Sequence, residues 1–277
     1  MTYCKYSFLT IIIAAALFSE SVSSACEPVE RKKFFAPFNR ESTVKSVITD
    51  FVWDGLAINR NLFQWDSWKI ITAFFPFYAI GRMTDVRIQE KFHDGHNHEN
   101  RHQFDPFYYQ CANYSLIVPG AIAAGALAFS RDEELRTTSW LFFVGLPSVY
   151  IVKKAVKELD LGKACERPCC EGFSRHKRAK NGFPSGHTAA IAYAAFLYGK
   201  RMGYKYAVPL GILTVGVGLS FTSCNRHYLS QLFAGAALGA LYAYAADKVA
   251  TKKMDCFNMS LETDCNGNPA LALSCRF

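Results

Sequence analysis

Asn181-Gly182-Phe183-Pro184-Ser185-Gly186-His187-Thr188 is the stretch from which the rest of the chain is read. A Pro-Ser-Gly turn gives way to His187, and an uncharged run begins at Ala189, so the segment reads as a loop that becomes a helix N-terminus. The first N–H groups of a helix have no partner inside it, and the helix dipole favours an anion at that end. Gly186 lets the backbone approach a ligand closely. Ser185 adds a hydroxyl donor, and His187 adds an imidazole that exchanges a proton near neutral pH. A phosphate fits this set better than other common ligands. Two more pieces lie on either side. Arg167-Pro168 comes upstream, before a basic loop, and Arg226-His227 comes downstream, at the start of another apolar run. Arginine is suited to forking a phosphate, and a second histidine is the nucleophile that covalent phosphoryl transfer needs.

Taken in order, Arg167-Pro168, Pro184-Ser185-Gly186-His187, and His227 followed by Gln231 and Gly235 resemble the type 2 phosphatidic acid phosphatase and vanadium haloperoxidase superfamily, over roughly residues 67–250. The resemblance implies an all-α fold, a six-helix bundle of that family's kind. It implies a metal-independent phosphatase with no cofactor. In such an enzyme His227 attacks phosphorus and becomes a phospho-histidine, His187 protonates the leaving oxygen, and Arg167, Ser185 and Gly186 hold the phosphate.

The chain departs from the family pattern at three places. The lysine expected seven residues before the arginine is Asp160; the arginine expected after Ser220 is Phe221; the aspartate expected four residues after the nucleophile is Gln231. Lys157 or Lys163 is the nearby substitute for the lysine, and Arg226 for the arginine. Gln231 can accept a hydrogen bond from His227 but cannot stabilise an imidazolium by charge; in a serine protease the corresponding Asp-to-Asn change costs roughly 10⁴ in rate. These departures motivate a second reading, a catalytically impaired member that binds phosphate-bearing ligands. A haloperoxidase is a third, disfavoured by the same missing cations.

Composition sets the frame. The chain has 277 residues, 51% hydrophobic and 15% aromatic, with only 19% charged and a formal charge of +8. That excludes a disordered chain, and nucleic acid is not an expected partner. A basic cluster, Arg175, Lys177, Arg178 and Lys180, directly precedes the Pro-Ser-Gly-His turn and reads either as a lure for anionic substrates or as a solvated loop. Of ten cysteines, Cys165, Cys169 and Cys170 flank Arg167, and Cys256, Cys265 and Cys275 fall in the tail. No Cys-x-x-Cys pair is present, so disulfides are favoured over zinc.

Residues 1–25 read as a secretory leader: Lys5, then the apolar Phe8 to Phe18, then Ser23 and Ala25 at the cleavage positions. Residues 26–66 form an N-terminal extension with loosely helical apolar spacing from Val44 to Phe63. The phosphatase-like helical domain takes residues 67–250, with helices expected over 67–81, 106–130, 137–152, 187–199, 206–220 and from His227 to about Ala246. Arg82 to Asp105 reads as a turn-rich polar loop; its His93, His96, His98 and His102 leave metal binding as a minor alternative. Residues 251–277 are expected to be an irregular, Cys-containing tail. Several apolar runs are compatible with crossing a bilayer, so the expected place is an exported membrane protein of the cell envelope. A soluble periplasmic or secreted enzyme is the alternative, because the basic turn Lys200 to Lys205 conflicts with a simple positive-inside topology. The substrate expected is a phosphate-bearing lipid or small molecule.

Overall fold

The computed structural model describes residues 44–92, 105–159, 161–162, 165–168, 182–223, 226–256, 258–263 and 269–274. Among them are seven helices: α1 Val44–Asn61, α2 Trp65–Phe92, α3 Asp105–Phe129, α4 Glu133–Glu158, α5 Gly186–Met202, α6 Tyr204–Ser223 and α7 Leu229–Cys256. The expected leader, the His93–His102 loop, the basic cluster and Lys163 lie outside the described residues.

The helix ends follow from local chemistry. Asp132 caps α4 by accepting from the N–H groups of Glu134 and Leu135, and Glu133 and Glu134 place negative charge in the first turn. Gly203, at φ 83°, ends α5 and lets α6 start one residue later.

α5 is the central helix. Its run Ala189 to Ala194 is fully buried, and Tyr193 and Tyr198 fill the core against Phe142 of α4 and Tyr242 of α7. Both tyrosine hydroxyls are satisfied, by the Leu141 carbonyl and by Ser139, as burial demands. α7 lies flush against α5 because Gly235 and Gly239 face it. A Cβ at Gly235 would come 2.5 Å from the Ser185 carbonyl oxygen, and one at Gly239 2.5 Å from that of Ala189. The bundle therefore brings the start of α5, the end of α6, the start of α7 and the ends of α2 and α4 to one end. Among the described residues, four helices are long and apolar enough to cross a membrane: α3 from Ala112, α4, α6, and α7 as far as Lys252.

Three expectations change. Residues 82–92, expected in a polar loop, continue α2 without a break. The reason is a buried polar face: Asp85 accepts from the Ser230 backbone and hydroxyl at 3.0 and 2.6 Å, and Gln89 donates to the Thr222 carbonyl at 2.9 Å. A helix precedes the expected six, since α1 packs Ile58 and Asp54 inward and Trp140 donates to Asp54 at 2.8 Å. The tail is not irregular throughout: β1 Asn258–Thr263 and β2 Pro269–Ser274 pair antiparallel, with Leu261 opposite Leu271.

Candidate active site

The two histidines meet across one phenylalanine. His187, the second residue of α5, stacks on the Phe221 ring at 5.2 Å, and His227, in the turn before α7, meets the same ring edge-on at 5.3 Å. Phe221 is almost fully buried at the end of α6. At the position where the family pattern calls for an arginine, the chain has an apolar wall that holds both imidazoles. The turn itself is pinned by backbone bonds: the N–H groups of Arg226 and His227 both donate to the Phe221 carbonyl, at 2.9 and 3.3 Å.

Gln231 decides which ring nitrogen of His227 is available. Its Nε2 donates to the Glu166 carbonyl at 2.7 Å, and its Oε1 accepts from the Tyr228 N–H at 3.2 Å. Turned over, the amide would set N–H against N–H and oxygen against oxygen. Its oxygen therefore faces His227 Nδ1, 3.2 Å away, so Nδ1 carries the proton and Nε2 keeps its lone pair. The same amide ties His227 to the loop that carries Arg167. That loop is bonded to the Pro-Ser-Gly turn as well, through Gly182 N–H to the Cys165 carbonyl at 2.7 Å, while Ser185 N–H reaches the Gln231 carbonyl at 3.1 Å. Gly182 has to be glycine, because a Cβ there would strike the Gln231 amide.

The other predicted residues divide. Gly186 opens α5 as expected, and Arg167 acts electrostatically on both imidazoles. Ser185 is buried at the cap, but its hydroxyl is 2.9 Å from that of Thr188 and makes no cap bond to the backbone. Arg226 is in the turn, yet the cations that act on the histidines are Lys153, Lys157 and Arg167. Lys163 lies outside the described residues. Of the proposed substitutes for the missing lysine, Lys157 is in place.

Lys153 was not singled out from the sequence. Its side chain runs against Gly186, so closely that a Cβ at Gly186 would overlap it, and its Nζ lies 4.7 Å from the centre of the Tyr150 ring. The ammonium is thus held at the start of α5, where an anion would sit. Lys153 and Lys157 are four apart on α4, one turn from each other on one face. That spacing was the available signal, and only the packing of α4 on α5 shows which lysines point inward.

Burial and like charge both disfavour protonating the imidazoles. Burial first, then Lys153, Lys157 and Arg167, push His187 down to about 4. Burial, Arg167 and Lys157 hold His227 well below the ordinary histidine range, against the hydrogen bond to Gln231. Both are neutral at pH 7. That suits a nucleophile and is the wrong state for an acid, until a bound anion offsets the three cations. Asp85, also missed from sequence, fixes the start of α7 through Ser230, three residues after His227. Cys165, expected in a disulfide, is a buried free thiol; the side chains of the other cysteines lie outside the described residues.

No curated protein matches the chain significantly. A solved structure, that of the first transmembrane PAP2 type phosphatidylglycerolphosphate phosphatase from Bacillus subtilis, is similar at 16% identity and a TM-score of 0.47, over 68% of this chain and 98% of that one. Residues 160–255 match the family model of the PAP2 superfamily. The matched stretch carries Arg167, the Pro-Ser-Gly-His turn, His227 and Gln231, in agreement with the resemblance of its motifs.

Proposed function

We propose that the chain is a phosphatase that hydrolyses a phosphomonoester or pyrophosphate through a phospho-histidine on His227, its apolar helices making a lipid the favoured carrier. The observation that supports this best is the pairing of two neutral imidazoles on Phe221 beneath Lys153, Lys157 and Arg167. The cations and the α5 N-terminus hold the phosphate oxygens. Nε2 of His227 attacks phosphorus, and the bond from phosphorus to the leaving oxygen breaks. His187 gives that oxygen a proton. Water then attacks the phospho-histidine, His187 takes the proton back, and inorganic phosphate leaves. The phosphate charge raises His187 from its low resting value, so substrate binding itself arms the acid. The expected leader at residues 1–25 and the four apolar helices among the described residues support a place in the cell envelope.

The second reading, a binding protein without turnover, is favoured by Gln231 and Phe221, which stand where the family pattern has charged groups. Phosphate release by purified protein and by a His227→Ala version, in EDTA, separates the two. Phosphatidic acid, an isoprenoid pyrophosphate and an aryl phosphate are the substrates. Release that survives EDTA and is lost in the variant supports the phosphatase; binding without release supports the alternative.

A further inference from the structure

Away from the histidines, α1 and the start of α2 show a polarity that water does not explain. The inward side of α1 carries Asp54 beside Ile58. Its outward side carries Ile48, Val52, Trp53 and Leu56, each more than half exposed. Lys45 and Arg60, both exposed, stand near the two ends of this apolar face. α1 lies across two neighbours, since Asn59 donates to Ser148 of α4 and accepts from Tyr242 of α7, and Asn61 donates to the Ala245 carbonyl. Beyond it, Trp65, Trp68, Lys69, Thr72 and Ala73 line an open groove of about 440 Å³ at the start of α2.

We propose that the outward face of α1 and the Trp65–Trp68 groove form one phospholipid-contacting surface, seated at the headgroup level of a bilayer. Three observations select lipid as the occupant. Next to the groove, α2 is uncharged from Ile70 to Gly81, with Ile71, Phe75 and Ile80 exposed, and α1 is bonded to α4 and α7, helices apolar enough to cross a membrane. Beside the groove, Asp66 meets two ammonium groups, Lys69 at 2.8 Å and Lys248 at 3.2 Å. One carboxylate against two cations leaves a net positive charge facing outward, complementary to an anionic headgroup. Tryptophans flanked by lysine and arginine are the side chains that settle where hydrocarbon gives way to headgroups.

The position of the groove has a consequence for the phosphate site. Trp65 opens α2, whereas Asp85 of the same helix bonds Ser230 at the catalytic end. Twenty residues of helix separate them, roughly 30 Å, about the thickness of a bilayer's hydrocarbon layer. With the tryptophans at one headgroup level, the histidines lie at the other. This placement rests on the membrane reading and not on turnover.

The tryptophans supply the test. Trp53, Trp65 and Trp68 are exposed, whereas Trp140 is buried and serves as an internal reference. The full chain is reconstituted in vesicles of phosphatidylcholine and phosphatidylglycerol containing brominated phosphatidylcholine, with bromines either near the top or near the end of the acyl chains. The expected result is strong quenching by the shallow bromines, weaker quenching by the deep ones, and little by aqueous iodide. The lipid-quenched emission should fall stepwise in Trp53→Phe and in the Trp65→Phe/Trp68→Phe protein. Quenching by iodide with none from either bromolipid would overturn the proposal, and so would protection from both in a cross-linkable dimer, which would make the occupant a second copy of the chain. Phosphate release in the same vesicles is read separately: intact quenching without release would sink the phosphatase reading and leave the lipid surface standing.

Discussion

His227 is oriented by an uncharged amide. Gln231 fixes the tautomer through three bonds, to His227 Nδ1, the Tyr228 N–H and the Glu166 carbonyl. Its amide bonds protein groups on both sides, so Gln231→Ala is expected to lower kcat by about 10²–10⁴ with KM little changed, which steady-state kinetics would show. Gln231→Asp restores a carboxylate but is a methylene shorter and has no N–H to donate to the Glu166 carbonyl, so it is expected to fall well short of a full gain. A KM rise equal to the kcat loss would place Gln231 on the substrate instead.

His187 gives a pH prediction at the same scale. Its free value is about 4, and an anion beside it raises that value toward the ordinary histidine range of about 6.5. Binding therefore takes up a proton between those limits. Sulfate, a dianion throughout that range, is expected to bind more tightly as pH falls from about 6.5 toward about 4, and His187→Gln is expected to flatten the trend; titration calorimetry checks both. The two histidines and Gln231 were legible in the sequence because chemistry and spacing point the same way. Lys153 was not, because a lysine that points inward and one that points out look alike until α4 is docked on α5.

Among the elements, α7 begins two residues after His227 and needs two supports. One is the glycine seam. Gly235→Leu would drive a side chain into the Ser185 carbonyl, with an expected loss of about 1–3 kcal/mol and a displaced Pro-Ser-Gly turn, seen as a lower melting temperature together with lost activity. The other is Asp85. Asp85→Ala leaves the Ser230 N–H and hydroxyl without their buried acceptor, an expected cost of about 1–3 kcal/mol by thermal unfolding. The apolar helices were readable from their composition. The end of α2 was not, since Arg82 to Phe92 is polar on most sides and is held helical by two buried side chains whose partners are about 130 residues or more away. The hairpin after α7 had its own signal in Asn266-Gly267, a pair favoured in tight turns.

For the whole molecule, the bundle gathers at one end the parts that the motifs scatter over residues 153–231. The loop that carries Arg167, the Pro-Ser-Gly turn and the start of α7 are bonded to one another through Gly182, Ser185 and Gln231, so the site is preorganised by backbone as much as by side chains. Helices were expected over the apolar runs, and seven are found among the described residues; α1 was foreseen only as apolar spacing, because its anchoring to Ser148 and Tyr242 depends on tertiary contacts.

The central claim is that His227 becomes phosphorylated. Purified protein is mixed with a substrate labelled at its terminal phosphate and quenched in alkali within the first turnover, and the labelled peptide is sequenced. The expected product is an acid-labile, alkali-stable phosphate on His227, absent in His227→Ala and longer-lived in His187→Gln. Labelled phosphate released by the wild type with no label on His227, or release undiminished in His227→Ala, would contradict it.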